Sequence, residues 1–240
     1  MTLVYSQNFD INFSTVRQLQ AMGTIIAGSS APAGVSGRIE IVNSVFKSTI
    51  VETDPPTATA VRSECVFNPS ALGDEDWITF EMRINEGDWN DNGTISICQV
   101  HNKDTILAAV PVLLIVKYKA WQVWTPAQDP PIEQANFQQT AYPFDFNIWN
   151  KVGIHAKWMN NTTGFLEVFI NNISVHRRFD QGSAYNADAP YFKLGVYDAA
   201  HNLGFGTKTA YFRNLKMYRG VESYSVALGR GPKPRPRMVG

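Results

Sequence analysis

The chain has 240 residues, of which 44% are apolar, 12% aromatic and 18% charged. Charged residues fall short of the usual quarter, while aromatic and β-branched residues are plentiful. This composition excludes coiled coils, helix bundles and disordered chains, and favours an aromatic-rich sheet protein. No apolar run approaches the ~20 residues of a membrane helix, so no membrane partner is predicted.

The net charge of zero conceals an uneven distribution. Four cations lie close to the C-terminus, where no acidic residue follows Glu222: Arg230, Lys233, Arg235 and Arg237. Without these four, 17 basic residues face 21 acidic ones, so the body is net negative. Nucleic-acid-binding domains usually carry a basic surface. We therefore predict no nucleic-acid partner, and expect any polyanionic ligand to be held by a few local cations.

Alternation of apolar and polar residues predicts strands along most of the chain. The predicted strands are 3–10, 38–43, 58–67, 77–84, 94–101, 110–124, 151–158, 164–170, 173–179, 191–197 and 209–218. Asn171 and Asn172 tolerate the positive φ of a tight turn, which predicts a hairpin between 164–170 and 173–179. Many short strands separated by Gly, Pro, Asn and Asp clusters favour a two-sheet sandwich.

The chain shows no interior linker. Residues 1–228 are predicted to form one domain, followed by a basic, Pro- and Gly-rich extended tail at 229–240. Residues 126–147 contain four prolines and are predicted to be a long loop, which is often a functional lid. The first residues lack a charged n-region and a long apolar segment, so no signal peptide is predicted in this chain.

Cys65 and Cys98 lie among apolar residues of predicted strands, where buried reduced thiols are favoured over a disulfide. Their spacing does not fit a zinc site. The run from Asp88 to Gly93 matches the start of a calcium loop, but position twelve is Gln99 and no helices flank the run. A strand connection is therefore favoured there, and no metal or other cofactor is predicted.

Three predicted strands carry polar residues on a common face, because residues two apart on a strand point the same way. These residues are Arg62 and Glu64, then Gln99 and His101, then Tyr191, Lys193 and Tyr197. A solvated surface is the ordinary explanation for any one of these strands. Three such strands together favour a site built on one sheet.

The same segments resemble the three motif strands of jelly-roll polyuronate lyases. Arg62-Ser63-Glu64, Gln99-Val100-His101 and Tyr191-Phe192-Lys193-Leu194-Gly195-Val196-Tyr197 are similar to the alginate lyase patterns R-[ST]-E-L-R, Q-[IV]-H and Y-F-K-A-G-x-Y, in the same chain order. The stretch 149–197 is also similar to glucuronan lyases and heparin lyase I-like proteins. Two departures are Cys65-Val66, where the pattern has Leu-Arg, and Asp198-Ala199, where Asn-Gln is usual.

The resemblance implies an all-β fold, namely a single-domain jelly-roll β-sandwich of the concanavalin A-like type with a concave glycan groove. It also implies β-elimination, which removes the C5 proton beside a uronate carboxylate and breaks the C4–O bond. Catalytic roles are expected for Arg62, Gln99, His101 and Tyr197. Substrate contacts are expected for Lys193, Tyr191 and Glu64, and for His201, which lies in a Gly- and Asn-rich loop that could border the cleft.

The residue types suit this chemistry. Arg62 and Gln99 are expected to bind the carboxylate as its charge grows in the transition state. His101 is expected to be the base or a carboxylate partner, and Tyr197 to protonate the leaving oxygen. Tyr197 would also serve as a base only if Arg62 and Lys193 lowered its pKa below the ordinary ~10.

The leading hypothesis is a polysaccharide lyase acting on an alginate- or glucuronan-like polymer outside the cell, after secretion with its signal removed or as part of a virus particle. The second is a non-catalytic carbohydrate-binding or structural module of the same fold, carried on a phage virion. A glycoside hydrolase is disfavoured, because no pattern of paired carboxylates is present. Trp121, Trp124 and Trp149 are either sugar-stacking platforms or core residues.

Overall fold

The structure is a computed structural model that describes residues 38–43, 45–56, 60–67, 70–89, 95–102, 110–126, 137–180, 182–184, 190–198 and 206–219. The predicted strand 3–10, His201 and the predicted tail 229–240 lie outside these ranges. None of the helical residues among those described could form a membrane-crossing helix.

Within the described ranges the chain forms thirteen strands and one short 3-10 helix, Glu86–Asp88. The first seven strands are β1 (Ile39–Val42), β2 (Val45–Val51), β3 (Val61–Val66), β4 (Glu75–Arg83), β5 (Ile95–Asn102), β6 (Val112–Lys117) and β7 (Ala120–Pro126). The other six are β8 (Phe137–Pro143), β9 (Asn150–Lys157), β10 (Phe165–Ile170), β11 (Ile173–Phe179), β12 (Pro190–Asp198) and β13 (Thr207–Arg219).

The strands form two antiparallel sheets. The seven-stranded sheet has the order β1-β2-β13-β4-β9-β10-β11, and the six-stranded sheet has the order β3-β12-β5-β6-β7-β8. Neighbours in the order are often far apart in sequence, as expected of a jelly-roll β-sandwich. The predicted fold class is thus confirmed. The three motif strands β3, β12 and β5 lie side by side at one edge of the six-stranded sheet.

Alternating apolar side chains build the core between the sheets. Phe192, Leu194 and Val196 of β12 are all buried there. Across the sandwich, the ring of Phe80 on β4 lies 6.2 Å from that of Phe192, centroid to centroid. Because β12 buries one side chain in two, its other face is left to Tyr191, Lys193, Gly195 and Tyr197.

A buried hydroxyl also ties the motif strands to the opposite sheet. Ser48 on β2 donates a hydrogen bond to the backbone oxygen of Ser63 over 2.5 Å and accepts one from the backbone nitrogen of Val196 over 2.9 Å. Each bond satisfies a backbone group that would be costly to bury alone. This bridge fixes β3 and β12 relative to the seven-stranded sheet.

Most predicted strands are present, with three corrections. The predicted strand 110–124 is a hairpin, β6 and β7, turning at Tyr118 and Lys119. Both residues have positive φ, at 52° and 55°, without the Asn or Gly that usually marks such a turn. The hairpin turn at Asn171 and Asn172 was predicted and is confirmed, with φ of 50° and 66°.

Two strands escaped prediction. The stretch 126–147 is no continuous loop, because β8 pairs along β7 over its whole length. Its polar sequence carries little strand signal, and the partner strand supplies the order. The strand β2 also lacks alternation, since consecutive residues Ser48, Thr49 and Ile50 are all buried.

Cys65 and Cys98 are both free and buried, which confirms the prediction of reduced thiols. They pair with Leu194 from opposite sides of β12. Strands lie ~4.8 Å apart, so the two Cα atoms are separated by roughly 10 Å, which is too far for a disulfide. Burial raises the pKa of both thiols.

Gly195 is the point of closest approach between β12 and β3. It has a φ of +146°, and a Cβ there would lie 2.1 Å from the backbone oxygen of Ser63 and 2.7 Å from the Cα of Glu64. Backbone atoms cannot rotate away as a flexible side chain can. Glycine is therefore required at this position for both its φ and its lack of a side chain.

We predict that Gly195→Ala destabilises the fold by at least ~2 kcal/mol, because strain at positive φ adds to a backbone clash. Thermal or denaturant unfolding measures the loss. Gly87→Ala is the matched control, since a Cβ at Gly87 meets nothing within 4 Å. Equal stability of the two variants would contradict the packing described for β3 and β12.

Candidate active site

The residues on the outer face of the six-stranded sheet, the face turned away from the core, line up in rows across the strands. The first row is Arg62, Tyr197, Ser96, Ile115, Gln122 and Ala141. The second row is Val66, Lys193, Gln99, Leu113 and Trp124. The third row is the pair Tyr191 and His101. Six of the eight predicted site residues lie in these rows. Glu64 shares the face, opposite Gly195, and His201 lies outside the described residues.

Two register shifts produce this alignment. One lies between Leu194 and Tyr197 where β12 pairs with β5, and the other between Ser96 and Cys98 where β5 pairs with β6. Bulges of this kind re-aim side chains. As a result Ile97 and Cys98 both enter the core, while Ser96 takes the place beside Tyr197. Simple alternation from Gln99 would not have put Ser96 in the site.

Arg62 and Tyr197 form a cross-strand pair in the first row. The guanidinium carbon of Arg62 lies 4.9 Å from the centre of the Tyr197 ring, which is a cation–π geometry. Its Nε is buried and has no hydrogen-bond partner among the described residues. A guanidinium with an unused donor is suited to receive an anionic oxygen.

Burial raises the pKa of Tyr197, and the Arg62 charge opposes this rise without overcoming it. The lowered pKa that a tyrosine base would need is therefore not found. A protonated phenol remains at neutral pH, which suits a proton donor and not a base.

Glu64 and Gln99 meet across β12. Gln99 Nε2 donates a hydrogen bond to Glu64 Oε1 over 2.5 Å, although the two residues lie on the strands either side of β12. Glu64 pairs with Gly195, and the missing side chain at Gly195 leaves room for the contact. The hydrogen bond fixes which end of the Gln99 amide faces Glu64.

Burial governs the electrostatics of this cluster. Glu64 is 1%, Gln99 2% and Lys193 7% exposed, so all three of these predicted site residues are buried on the outer face. Burial raises the pKa of Glu64 against the opposing effects of Lys193, Gln99 and Arg62. Burial also lowers the pKa of Lys193. Both shifts favour the uncharged forms.

Tyr191 on β12 and His101 on β5 form a pair at the end of these strands that is far from Arg62 and Tyr197. Their ring centroids are 5.3 Å apart, and Lys193 Nζ lies 5.5 Å from the Tyr191 ring centre. Burial raises the pKa of Tyr191, Glu64 raises it further, and Arg62 lowers it. Arg62 and Glu64 thus act on Tyr191 as well as on Tyr197, so the three rows form one electrostatic unit.

The rows that contain Tyr191 and Tyr197 lie far apart along β12. Tyr191 and Tyr197 are six residues apart, which is roughly 20 Å at the rise of an extended strand. His101 pairs with the first of these tyrosines and Arg62 with the second. A carboxylate bound near Arg62 therefore lies closer to Tyr197 than to His101 along the strand.

The departures from the family pattern fall on different faces. Cys65 and Asp198 are buried, at 1% and 0% exposure, and both alternate with the site residues, so they point away from the site. Val66 lies on the outer face opposite Lys193. The site therefore has an apolar side chain where the lyase pattern has a cation.

The three candidate tryptophans have three different environments. Trp121 is a core residue with 0% exposure. Trp149 packs against the other sheet, with the guanidinium carbon of Arg213 4.0 Å from its ring centre. Trp124 is half-buried on the outer face, in the second row with Gln99. Strand register alone reveals this placement, together with those of Ser96 and Gln122, which sequence reasoning missed.

Known structures share this architecture. An endo-β-1,4-glucuronan lyase from the fungus Trichoderma reesei is 18% identical, with a TM-score of 0.58 over 77% of this chain and 84% of that chain. Alginate lyase A1-II′, a member of polysaccharide lyase family 7, is 12% identical, with a TM-score of 0.64 over 78% and 85% of the two chains. An alginate lyase from Pseudomonas aeruginosa is 15% identical, with a TM-score of 0.59 over 76% and 86%.

A search of curated proteins finds no match. The structural matches are too distant in sequence to show more than the fold. The sequence model of the family described as Polysaccharide lyase, however, matches residues 36–216, a span that contains all three motif strands. The chain therefore belongs to the polysaccharide lyase family.

Proposed function

We propose that this protein cleaves a uronate-containing polysaccharide by β-elimination at the outer face of the six-stranded sheet. The observation that carries the proposal is the pairing of Arg62, which has an unused buried donor, with Tyr197, whose burial keeps it protonated. An anion-binding group next to a proton donor is what elimination beside a carboxylate requires. This reaction uses side-chain groups of the protein and requires no metal.

Arg62 and Gln99 bind the uronate carboxylate. As the C5 proton leaves, negative charge moves onto this carboxylate, so a guanidinium and an amide N–H stabilise the transition state more than the ground state. Gln99 Nε2 has two hydrogens, and Glu64 takes one of them. The second remains for a substrate oxygen.

Tyr197 donates its proton to the glycosidic oxygen as the C4–O bond breaks. The electron pair of the C5–H bond forms the C4–C5 double bond, and His101 accepts the C5 proton directly or through a water. Histidine is the side chain whose ordinary pKa lies closest to neutrality. C4 and C5 are bonded neighbours, so the sugar spans little of the distance between Tyr197 and His101, and bound waters have to carry the C5 proton to His101.

Glu64 acts in this scheme as a positioning residue. Its hydrogen bond orients the Gln99 amide. A charged carboxylate beneath the substrate carboxylate would repel it. The raised pKa of Glu64 reduces that repulsion, because it favours the neutral acid.

The first candidates for the substrate are alginate- and glucuronan-like polymers. Structural relatives include a family 7 alginate lyase in complex with a substrate and an alginate lyase in complex with dimannuronate. Such polymers are too large to enter a cell, so we place the site of action outside the cell.

We predict that Tyr197→Phe abolishes elimination while folding and glycan affinity persist, because the ring stays and only the proton-donating hydroxyl is lost. Removing a positioned acid costs on the order of 10²–10⁴ in rate. Ultraviolet absorbance of the unsaturated product and calorimetric affinity measure the two effects. Near-native rates in this variant would show that another group is the acid.

Arg62→Ala serves as the contrasting variant in the same assays. We expect both affinity and rate to fall, since the guanidinium attracts the carboxylate before and during the reaction. The alternative function, a binding module without catalysis, gives a different pattern. It requires no unsaturated product from the native protein and only a modest loss of affinity in Tyr197→Phe.

A heavily sulfated polymer is predicted to be a poorer substrate than one with a single carboxylate per sugar. The body of the chain is net negative once the four C-terminal cations are set aside, so dense sulfate meets repulsion beyond the site. Turnover of heparin, alginate and glucuronan at matched salt tests this ordering. Faster turnover of heparin would contradict it.

Glu64→Gln is predicted to gain stability relative to the native protein as pH rises. Folding raises the pKa of Glu64. The contribution of Glu64 to the free energy of unfolding is therefore complete below the ordinary carboxyl pKa of ~4.3, and it is lost as the pH rises through the pKa of the folded state. Glutamine does not titrate. Unfolding midpoints at about pH 4 and about pH 8 give the difference.

The control for this comparison is Glu86→Gln, since the side chain of Glu86 is 61% exposed. The difference in unfolding midpoint between Glu86→Gln and the native protein should change little with pH. If Glu64→Gln behaved in the same way, Glu64 would be an ordinary ionised carboxylate, and the proposed relief of repulsion would be wrong.

A further inference from the structure

Ser48 is a polar residue on the inner face of β2, which is otherwise apolar there. Phe46 and Ile50, two positions away on either side, point the same way and are core residues with 0% exposure, as is Ser48 itself. A hydroxyl buried among apolar side chains is costly unless its hydrogen bonds are made. Ser48 makes two, and both lead out of its own sheet to the backbone of β3 and β12.

The two hydrogen bonds of Ser48 end on one register pair. The hydroxyl donates to the backbone oxygen of Ser63 and accepts from the backbone nitrogen of Val196. Ser63 and Val196 lie opposite each other where β3 pairs with β12. A hydroxyl has one hydrogen to donate and lone pairs to accept, so Ser48 links the carbonyl of one strand to the N–H of the other.

The register pairs on either side of this bridge carry the candidate active site. Arg62 faces Tyr197 on one side, and Glu64 faces Gly195 on the other. The cation–π contact between Arg62 and the Tyr197 ring is therefore one residue away from the Ser48 bridge on both strands. Side chains of a cross-strand pair meet only while the register holds. A shift of β3 against β12 would separate the guanidinium from the ring.

The pairing of β12 with β5 holds this segment less regularly. Its register shifts between Leu194 and Tyr197, so Val196 lies within the shift. A bulge locally disrupts the ladder of backbone hydrogen bonds. The bond from Val196 to Ser48 therefore fixes β12 from the opposite sheet at the point where its own sheet is irregular.

We propose that Ser48 is a positioning residue of the candidate active site, whose hydroxyl keeps Arg62 beside Tyr197. The inference rests on the proposed function, because it assigns Ser48 an effect on how the site holds a uronate carboxylate. Ser48 lies between the two sheets, so it acts on the site through the backbone of Ser63 and Val196.

A measurement without ligand tests the geometry directly. Nuclear Overhauser contacts between the side-chain protons of Arg62 and the ring protons of Tyr197 report this pair, because its guanidinium carbon lies 4.9 Å from the ring centre. We expect these contacts in the native protein and a marked loss of their intensity in Ser48→Ala. Native intensities in a folded Ser48→Ala protein would overturn the proposal.

Affinity for a short oligouronate tests the consequence for binding. All proteins in this comparison carry Tyr197→Phe, which keeps the ring, and calorimetry measures binding of a glucuronate tetrasaccharide and of a mannuronate tetrasaccharide. We expect Ser48→Ala to weaken the tighter probe by roughly three- to tenfold, as for coupled residues of one network. In an Arg62→Ala background the same substitution should change affinity by less than about twofold, since the guanidinium that it positions is gone.

An equal loss of affinity in the two backgrounds would overturn the proposal, because it would show that Ser48 acts independently of Arg62. Ser48→Thr keeps the hydroxyl, and we expect it to retain more affinity than Ser48→Ala. If Ser48→Ala does not fold, Ser48→Cys takes its place, since a thiol fills the same position but is a weak donor and acceptor.

Thr49→Val is the matched control. Thr49 is the next residue on β2 and is 7% exposed, and its hydroxyl forms a hydrogen bond of 3.1 Å with that of Thr209. Thr209 is its register partner on β13, so this bond stays within the seven-stranded sheet. Thr49→Val thus removes a buried hydroxyl that does not reach the motif strands, and the contacts of Arg62 and the affinities should persist. Equal effects of Thr49→Val and Ser48→Ala would overturn the assignment to Ser48.

These outcomes are separate from the fate of the proposed reaction, since the contacts and affinities are measured without turnover. A protein whose Arg62–Tyr197 contacts depend on Ser48, but which forms no unsaturated product, would sustain the positioning by Ser48 and overturn the lyase. A native protein that forms unsaturated product, with contacts that do not depend on Ser48, would do the reverse.

Discussion

The approach of β3 to β12 at Gly195 is the constraint on which the candidate site depends. The backbone of Ser63 and Glu64 occupies the space that any side chain at this position would fill. This contact brings Glu64 within reach of Gln99 across an intervening strand. It also sets the register that places Arg62 beside Tyr197. A glycine in the middle of a strand usually weakens the strand, and here it permits the polar cluster to form.

Burial then determines what that cluster can do. A carboxyl, an ammonium and two phenols lie on the neighbouring strands β3 and β12, and burial shifts the pKa of each in the direction that favours its neutral form. Arg62 cannot respond in this way, because a guanidinium stays charged in proteins. The site therefore combines one permanent cation with oxygen acids whose neutral forms are favoured by burial. This combination attracts a carboxylate and can supply a proton, while it carries little negative charge of its own.

Alternation and motif order were enough to predict the sandwich and the shared face of the polar residues, because both depend on a period of two along each strand. Features that depend on pairing between strands could not be predicted. Ser96 and Gln122 join the outer face only through bulges and register, and β8 is a strand only because β7 pairs with it. Burial of Lys193 and Glu64 is likewise set by neighbours, since a polar residue on an outer face is ordinarily exposed.

The central claim is that this face of the sheet breaks a glycosidic bond by elimination. The most direct test is to incubate the native protein with a panel of uronate polymers and record ultraviolet absorbance together with new reducing ends. We expect both signals to rise in step, because elimination creates one conjugated double bond for each bond broken. Reducing ends without absorbance would indicate hydrolysis, and no change in either signal across the panel would indicate binding alone. Either result would contradict elimination at this face.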